Sequence, residues 1–380
     1  MRFVLPHHIK KNRVLFESDG PYDNGWILFL YCVNNRKDLD CWFYCSYKYR
    51  DYIPNKYKKK TIYYPNGVDK PSIFGRLKTY RKIYTCEMIF DSYISMANKN
   101  TQTKEVFLTH GYGGKKALPY MEFIFQSGCE VTYPTEFVKK ESGISFKEIY
   151  HGNQVSILPS PRMDVVHFDP ELNLLFRKIM NVEKNEKICL VMTTFRRNQD
   201  GTYDLTRPFP LAIDYNRLNE KLVESNVVMV IKLHHALDDV NLNVLPSFSN
   251  IRFAKNNVLL KNGFGPSSIM PYSDFFISDF STAAVTYMML NHPMGYILTD
   301  FEKYKKEIGG GFQFRNPEQY FVGSKIYNEE DLLYFINQAS HGVDPFSEKR
   351  KDYSLLINGP FLQKGKACET IINHYLPNQR

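Results

Sequence analysis

Residues 271–293, PYSDFFISDFSTAAVTYMMLNHP, constrain the fold more than any other stretch. Phe275-Phe276-Ile277 is continuously apolar, as strands buried on both faces of a parallel sheet are. Asp279 follows in a tight turn, and a helix opens at Ser281 or Thr282. That helix is apolar nearly all round (Ala283, Ala284, Val285, Met288, Met289, Leu290), which predicts burial. N–H groups at the start of such a helix, beyond a strand's carboxyl end, form a natural phosphate site. Ser281 and Thr282 can cap the helix or donate hydroxyls to an anion. Taken alone, the stretch also reads as an ordinary strand–cap–helix unit.

The same alternation runs along the chain. Strands are predicted at Val14–Glu17, Cys41–Cys45, Thr61–Tyr64, Glu105–Thr109, Glu130–Tyr133 and Val155–Leu158, with helices over Gly25–Asn34 and Gly75–Asn98. After the punctuation Pro159-Ser160-Pro161-Arg162 the pattern restarts. Strands are expected at Lys187–Thr194, Val227–Leu233, Asn250–Ala254 and Gly295–Thr299, and helices at Asp214–Ser225, Glu329–Ala339 and Lys364–Tyr375. Repeated βα units in both halves predict an α/β chain with two doubly wound parallel sheets facing a cleft. The boundary is placed near residue 168, giving domains 1–168 and 169–380; a chain of 380 residues suits two.

Composition narrows the function classes. A hydrophobic content of 43%, with 27 Tyr and 28 Phe, fills two cores and argues against disorder. The seven cysteines are scattered with no C-x-x-C pair, which predicts reduced thiols rather than a disulfide framework or zinc knuckle. The first residues lack a signal peptide's apolar core, and the longest apolar run, Trp26–Val33, is too short to cross a bilayer. A soluble or peripherally bound, cytoplasmic protein is expected. Net charge is +9. Part of the excess lies in Lys48–Lys60, among tyrosines, and in Arg76, Lys78, Arg81 and Lys82. Such patches attract polyanions, whether nucleic acid, anionic lipid or substrate, or simply form a solvated face.

Four spots carry candidate chemistry. His110-Gly111-Tyr112-Gly113-Gly114-Lys115-Lys116 places a histidine at a strand end before glycines that allow close backbone approach to a ligand. It reads as a general base beside a phosphate loop, or as a glycine turn with a surface histidine. Lys232-Leu233-His234-His235 follows an apolar strand, and its period of two puts Lys232 and His234 on one side. No ligand set for a metal surrounds these histidines. Arg196, in Thr193-Thr194-Phe195-Arg196-Arg197, suits a phosphate or a solvent-facing loop. The fourth spot is Asp279–Thr282. Asp38-Leu39-Asp40 reads as a loop. Serine-hydrolase, zincin and P-loop motifs do not occur.

The order of these spots resembles the CDP-glycerol glycerophosphotransferases, the teichoic-acid primase and polymerase family. Phe16-Glu17-Ser18 with Asp23-Asn24, Thr109-His110-Gly111, Pro161-Arg162-Met163-Asp164, Thr193-Thr194-Phe195-Arg196, Lys232-Leu233-His234, Ser278-Asp279-Phe280-Ser281-Thr282, Gly310-Gly311-Phe312 and Gly365-Lys366-Ala367 carry it. Tyr112-Gly113-Gly114 and His235 depart from the family pattern. The resemblance implies a GT-B-like fold of two Rossmann-type domains, with a C-terminal helix packing back on the first. It implies an N-terminal acceptor domain and a C-terminal domain for CDP-glycerol or CDP-ribitol. His110 and His234 would be catalytic, and Gly111, Arg196, Lys232, Asp279, Ser281 and Thr282 would bind substrate. No metal or other cofactor is implied beyond the donor. The acceptor would be a polyanionic or lipid-linked glycan, with an anionic membrane surface and no nucleic acid as partner. A GT-B glycosyltransferase using a nucleotide sugar is the alternative enzyme; a non-catalytic polyanion binder is the alternative class.

Overall fold

The computed structural model describes residues 8–64, 73–93, 102–109, 111–114, 118–150, 154–194, 210–233, 247–307 and 311–378. The chain forms two compact units. The first comprises Met1–Tyr112, Ala117–Val165 and Leu362–Arg380; the second comprises Gly113–Lys116 and Val166–Phe361.

The first unit is built on seven strands: β1 (Lys10–Glu17), β2 (Asp40–Ser46), β3 (Thr61–Tyr64), β4 (Cys86–Asp91), β5 (Lys104–Phe107), β6 (Glu130–Tyr133) and β7 (Val155–Ile157). They lie in the order β3-β2-β1-β4-β5-β6-β7, and every pairing is parallel. The helix Asn24–Asn35 covers one face. Trp26, Leu28, Phe29 and Cys32 pack with Phe16, Phe43, Met88 and Phe90, and the same cluster takes in Cys368, Ile371 and Ile372 of the helix Lys366–Tyr375. That last helix therefore belongs to the first core. Asp164 caps its start, accepting from Ala367 N (3.1 Å) and Cys368 N (2.9 Å). Tyr375 Oη donates to Glu130 at 2.6 Å, and Arg36 donates to the Leu376 carbonyl at 2.7 Å. A β-carbon at Gly25 would lie 1.9 Å from the Glu17 carbonyl oxygen, so only glycine lets this helix start against the end of β1.

The second unit has six parallel strands, β8 (Lys187–Val191), β9 (Val227–Ile231), β10 (Ile251–Phe253), β11 (Phe275–Ser278), β12 (Met294–Ile297) and β13 (Ser324–Ile326), in the order β10-β9-β8-β11-β12-β13. Apolar clusters cover both faces. One holds Ile188, Leu190, Val228, Phe276 and Tyr287; the other holds Cys189, Val191, Met229, Phe275 and Ile336. Burial on both sides is why these strands read as unbroken apolar runs.

Two α/β units with parallel sheets match the expected fold class. One expected element is wrong. The single helix over Gly75–Asn98 is a helix at Ile73–Tyr84 followed by β4. Thr85 closes the helix by donating to the Arg81 carbonyl (2.8 Å) while accepting from Arg13 (2.7 Å). β4 then inserts between β1 and β5, where both faces are covered; an apolar run of this kind has no strand period to separate it from a helix. The helix Pro170–Met180, just beyond the boundary expected near residue 168, and the strand β13 had no expected counterpart. All seven cysteines are free and buried, as the scattered spacing predicted.

Candidate active site

In each sheet the first strand is flanked by the second on one side and a later strand on the other. This is the switch point where open α/β sheets bind ligands, beyond their carboxyl ends. In the second unit the segments leaving β9, β8 and β11 carry Lys232, Thr194 and Asp279 at three adjacent positions of the sheet edge.

Asp279 is fully buried and organises this edge. Its carboxylate accepts from Thr194 N (3.1 and 3.0 Å), from Thr194 Oγ1 (3.0 Å) and from Ser281 N (2.9 Å). These bonds draw the chain out of the ladder after β8, which explains why that strand ends at Val191 and not at Thr194. Ser278 Oγ adds a 2.6 Å bond to the Met192 carbonyl. Ser281 is the N-cap of the helix Thr282–Tyr287, its Oγ accepting from Ala283 N at 3.3 Å. A hydroxyl that accepts there still carries its own proton to donate. Thr282 is half-buried at the first helical position. Behind it, Tyr287 stacks on Phe276 at 4.2 Å. Lys232 is buried, and its Nζ donates to the Leu233 carbonyl at 2.6 Å.

Gly113 and Gly114 belong to this unit. Gly113 N donates to Gln313 Oε1, and Gln313 N to the Gly114 carbonyl, both at 2.9 Å. A β-carbon on Gly114 would sit 2.6 Å from Thr282 Cγ2, so the loop lies on the start of the helix with room for glycine alone. Gln313 carried no sequence signal.

The first unit's edge is held by Asn24. This fully buried amide donates from Nδ2 to the carbonyls of Leu108 (3.2 Å) and Thr109 (2.7 Å). Its Oδ1 accepts from Ser160 Oγ (3.2 Å) and Arg162 N (3.0 Å). Asp23 caps the helix through Asn24 N at 2.8 Å and pairs with Arg162 at 3.6 Å. Thr109 stands at φ +52°, a left-handed conformation that costs a β-branched residue roughly 1–3 kcal/mol. Burial pushes the Tyr112 phenol up to about 12, against the pull of Arg162.

Of the residues expected in the site, Lys232, Asp279, Ser281 and Thr282 gather at one sheet edge. Gly111 is half-buried in the first unit. His110, Arg196 and His234 lie outside the described residues. Asp38-Leu39-Asp40 is tied up locally: Asp38 pairs with Arg36, and Asp40 with Arg13 and Lys60. Burial works against the Asp40 charge, but hydrogen bonds from Lys60 and Arg13 outweigh it and hold the carboxyl at about 2. Much of the basic patch is likewise engaged, with Lys82 3.6 Å above the Trp42 ring and Lys48 3.1 Å from Asp19. Among the described residues, Asp91, Glu105 and Cys129 have ligand atoms within 4.8 Å of one another. Three donors of mixed hardness are fewer than the four of a closed zinc site.

The sequence profile of the CDP-glycerol:poly(glycerophosphate) glycerophosphotransferases matches residues 1–373. The chain belongs to that family. It is 25% identical over 394 aligned positions to the teichoic acid ribitol-phosphate polymerase TarL of Staphylococcus aureus, covering 97% of this chain and 63% of TarL. It is 24% identical over 302 positions to the teichoic acid poly(glycerol phosphate) polymerase of Bacillus subtilis, covering 72% of this chain and 37% of that enzyme. The chain thus spans between about a third and two thirds of these relatives' lengths. The solved wall teichoic acid polymerase TagF superposes with a TM-score of 0.70 at 16% identity, over 96% of this chain and 88% of TagF. That likeness shows the fold. Among the described residues no helix is long and apolar enough to cross a membrane.

Proposed function

We propose that this chain transfers glycerol phosphate or ribitol phosphate from a CDP-alcohol to a hydroxyl of a teichoic-acid-like acceptor and releases CMP. Family membership supports the reaction class. The observation that carries the site is the second sheet's switch point, where Lys232 follows β9 and Asp279, Ser281 and Thr282 follow β11, the two strands that flank β8. In this reading the second unit holds the donor and the first unit presents the acceptor. His110 takes the proton of the acceptor hydroxyl. The freed oxygen attacks the β-phosphorus, which bears the polyol; the bond from that phosphorus to the bridging oxygen breaks, and CMP leaves with the electron pair. Lys232 and His234 offset charge developing on the diphosphate. Ser281 and Thr282 donate to phosphate oxygens, Arg196 adds a guanidinium, and Gly111 lets the chain approach the ligand. Asp279 serves by holding the turn that carries Ser281. Lysines and arginines of the 48–82 patch outside the pairs described above would meet a polyanionic or lipid-linked acceptor at the inner membrane surface.

The test is the purified protein against a panel of CDP-alcohols and nucleotide sugars, with the released nucleotide identified. CMP from CDP-glycerol or CDP-ribitol is the expected result. UDP or GDP release overturns it in favour of a glycosyltransferase of capsule or surface polysaccharide, and salt-sensitive polyanion binding without turnover would mark a binding protein. His110→Ala is expected to lower kcat by about 10²- to 10⁴-fold.

A further inference from the structure

We infer that Asn24 is a positioning residue for the reacting histidine; this rests on the reading of His110 as general base. Three features converge on Asn24. It is fully buried, it spends both Nδ2 protons on consecutive carbonyls 84 and 85 residues away, and its Oδ1 is held by Ser160 and Arg162 N. The shorter of the two carbonyl bonds, 2.7 Å, falls on Thr109, whose carbonyl belongs to the peptide bond leading into His110.

The geometry explains why a clamp is needed there. Thr109 is β-branched and sits at φ +52°, a conformation it leaves unless its surroundings over-determine it. Two adjacent carbonyls bound by one rigid amide supply that over-determination. The amide is in turn fixed by a second segment, Ser160–Arg162, so the direction in which the chain leaves β5 is set by residues far off in sequence. Asn24 touches no reacting atom in this scheme. It acts on the base through the backbone, and a displacement of the order of 1 Å at a catalytic group is enough to cost about 10²-fold in rate.

The experiment compares the wild type with Asn24→Ala, with Asn24→Ala/Thr109→Asn and with Ser160→Ala. Asparagine tolerates the left-handed conformation, so Thr109→Asn removes the need for the clamp. Ser160→Ala disturbs the same amide but leaves both Nδ2 bonds. For Asn24→Ala, kcat for CMP release should fall about 10- to 100-fold, with KM for the CDP-alcohol within about twofold of wild type. The added Thr109→Asn should recover several-fold of that loss, and Ser160→Ala should change kcat less than about threefold. A second readout is independent of turnover. The tryptic peptide 105–115, EVFLTHGYGGK, holds His110 as its one histidine. Its rate of carbethoxylation by diethyl pyrocarbonate, followed by mass spectrometry, should change in Asn24→Ala and return towards wild type with Thr109→Asn. If Asn24→Ala does not fold, the neutral Asn24→Ser, which loses both Nδ2 donors without burying a charge, carries the same comparison. Unchanged kcat and unchanged His110 reactivity overturn the inference. So does a kcat loss matched by the loss of folded protein and untouched by Thr109→Asn. Failure of the wild type to release CMP overturns the functional reading instead, and the His110 reactivities then decide the positioning role by themselves.

Discussion

The two sheet edges are fastened by opposite chemistry. In the first unit a neutral amide, Asn24, grips backbone carbonyls at the end of β5. In the second a carboxylate, Asp279, grips backbone N–H groups and a hydroxyl at the ends of β8 and β11. Both side chains are fully buried and both join segments more than eighty residues apart. The carboxylate brings a negative charge into an edge that the proposed reaction needs for phosphates, and it spends that charge on the protein's own donors. Ser281 and Thr282 are thereby left as the groups presented outward. The amide brings no charge, so it can fix the chain beside a proposed base without biasing that base electrostatically.

The comparison can be broken by truncating each clamp. Asp279→Ala strands three donors that were bonded to a charged acceptor, and is expected to cost about 3–5 kcal/mol in denaturant unfolding. Asn24→Ala loses neutral bonds and is expected to cost about 1–3 kcal/mol. A larger loss at Asn24 would reverse the ranking of the two edges. Gly114→Ala comes next. Its β-carbon would press on Thr282 Cγ2 at 2.6 Å, which should cost about 1–3 kcal/mol or displace the start of the helix and raise KM for the donor. Adding Thr282→Ser, which removes that methyl and keeps the hydroxyl, should restore both. If it does not, the Gly114 contact is not what limits the edge.

The smallest effect concerns pH. Burial lowers the pKa of His292, which bonds the Ser273 carbonyl at 2.9 Å with Asp274, Arg350 and Asp344 nearby. The unfolded chain takes up this proton near pH 6.5 while the folded chain resists it, so stability is full above that value and falls as pH drops through it. Melting temperatures at pH 7.5 and 5.5 should show that slope in the wild type and a shallower one in His292→Gln. In the first unit Asp40 behaves otherwise. Its contribution is present above about pH 4 and is lost only as pH falls towards 2. The His292 contribution should therefore be lost at milder acid than the Asp40 contribution.

The parallel sheets were legible because strands buried on both faces leave unbroken apolar runs such as Val227–Ile231. The same property hid β4, whose run Met88-Ile89-Phe90 followed a helical segment without a turn signal. Lys232, Asp279, Ser281 and Thr282 were legible as chemistry at strand ends. Asn24, Arg162, Asp164 and Gln313 were not: Asn24, Asp164 and Gln313 bind backbone groups distant in sequence, Arg162 meets the distant side chains of Asp23 and Asn24, and no local spacing encodes such contacts. Asn24, Arg162 and Asp164 did stand inside the quoted family motifs, and that was the available signal.

The helix Lys366–Tyr375 gives the molecule an order of assembly. Its apolar face fills the first core, and Asp164 waits at its start. On a ribosome adding roughly 5–20 residues per second, about 200 residues separate the last strand of the first sheet from this helix, a delay of about 10–40 s. The second core closes from chain already made, whereas the first stays short of Cys368, Ile371 and Ile372 until the second unit has been synthesised. The first core is thus completed by residues that are synthesised after the whole of the second unit.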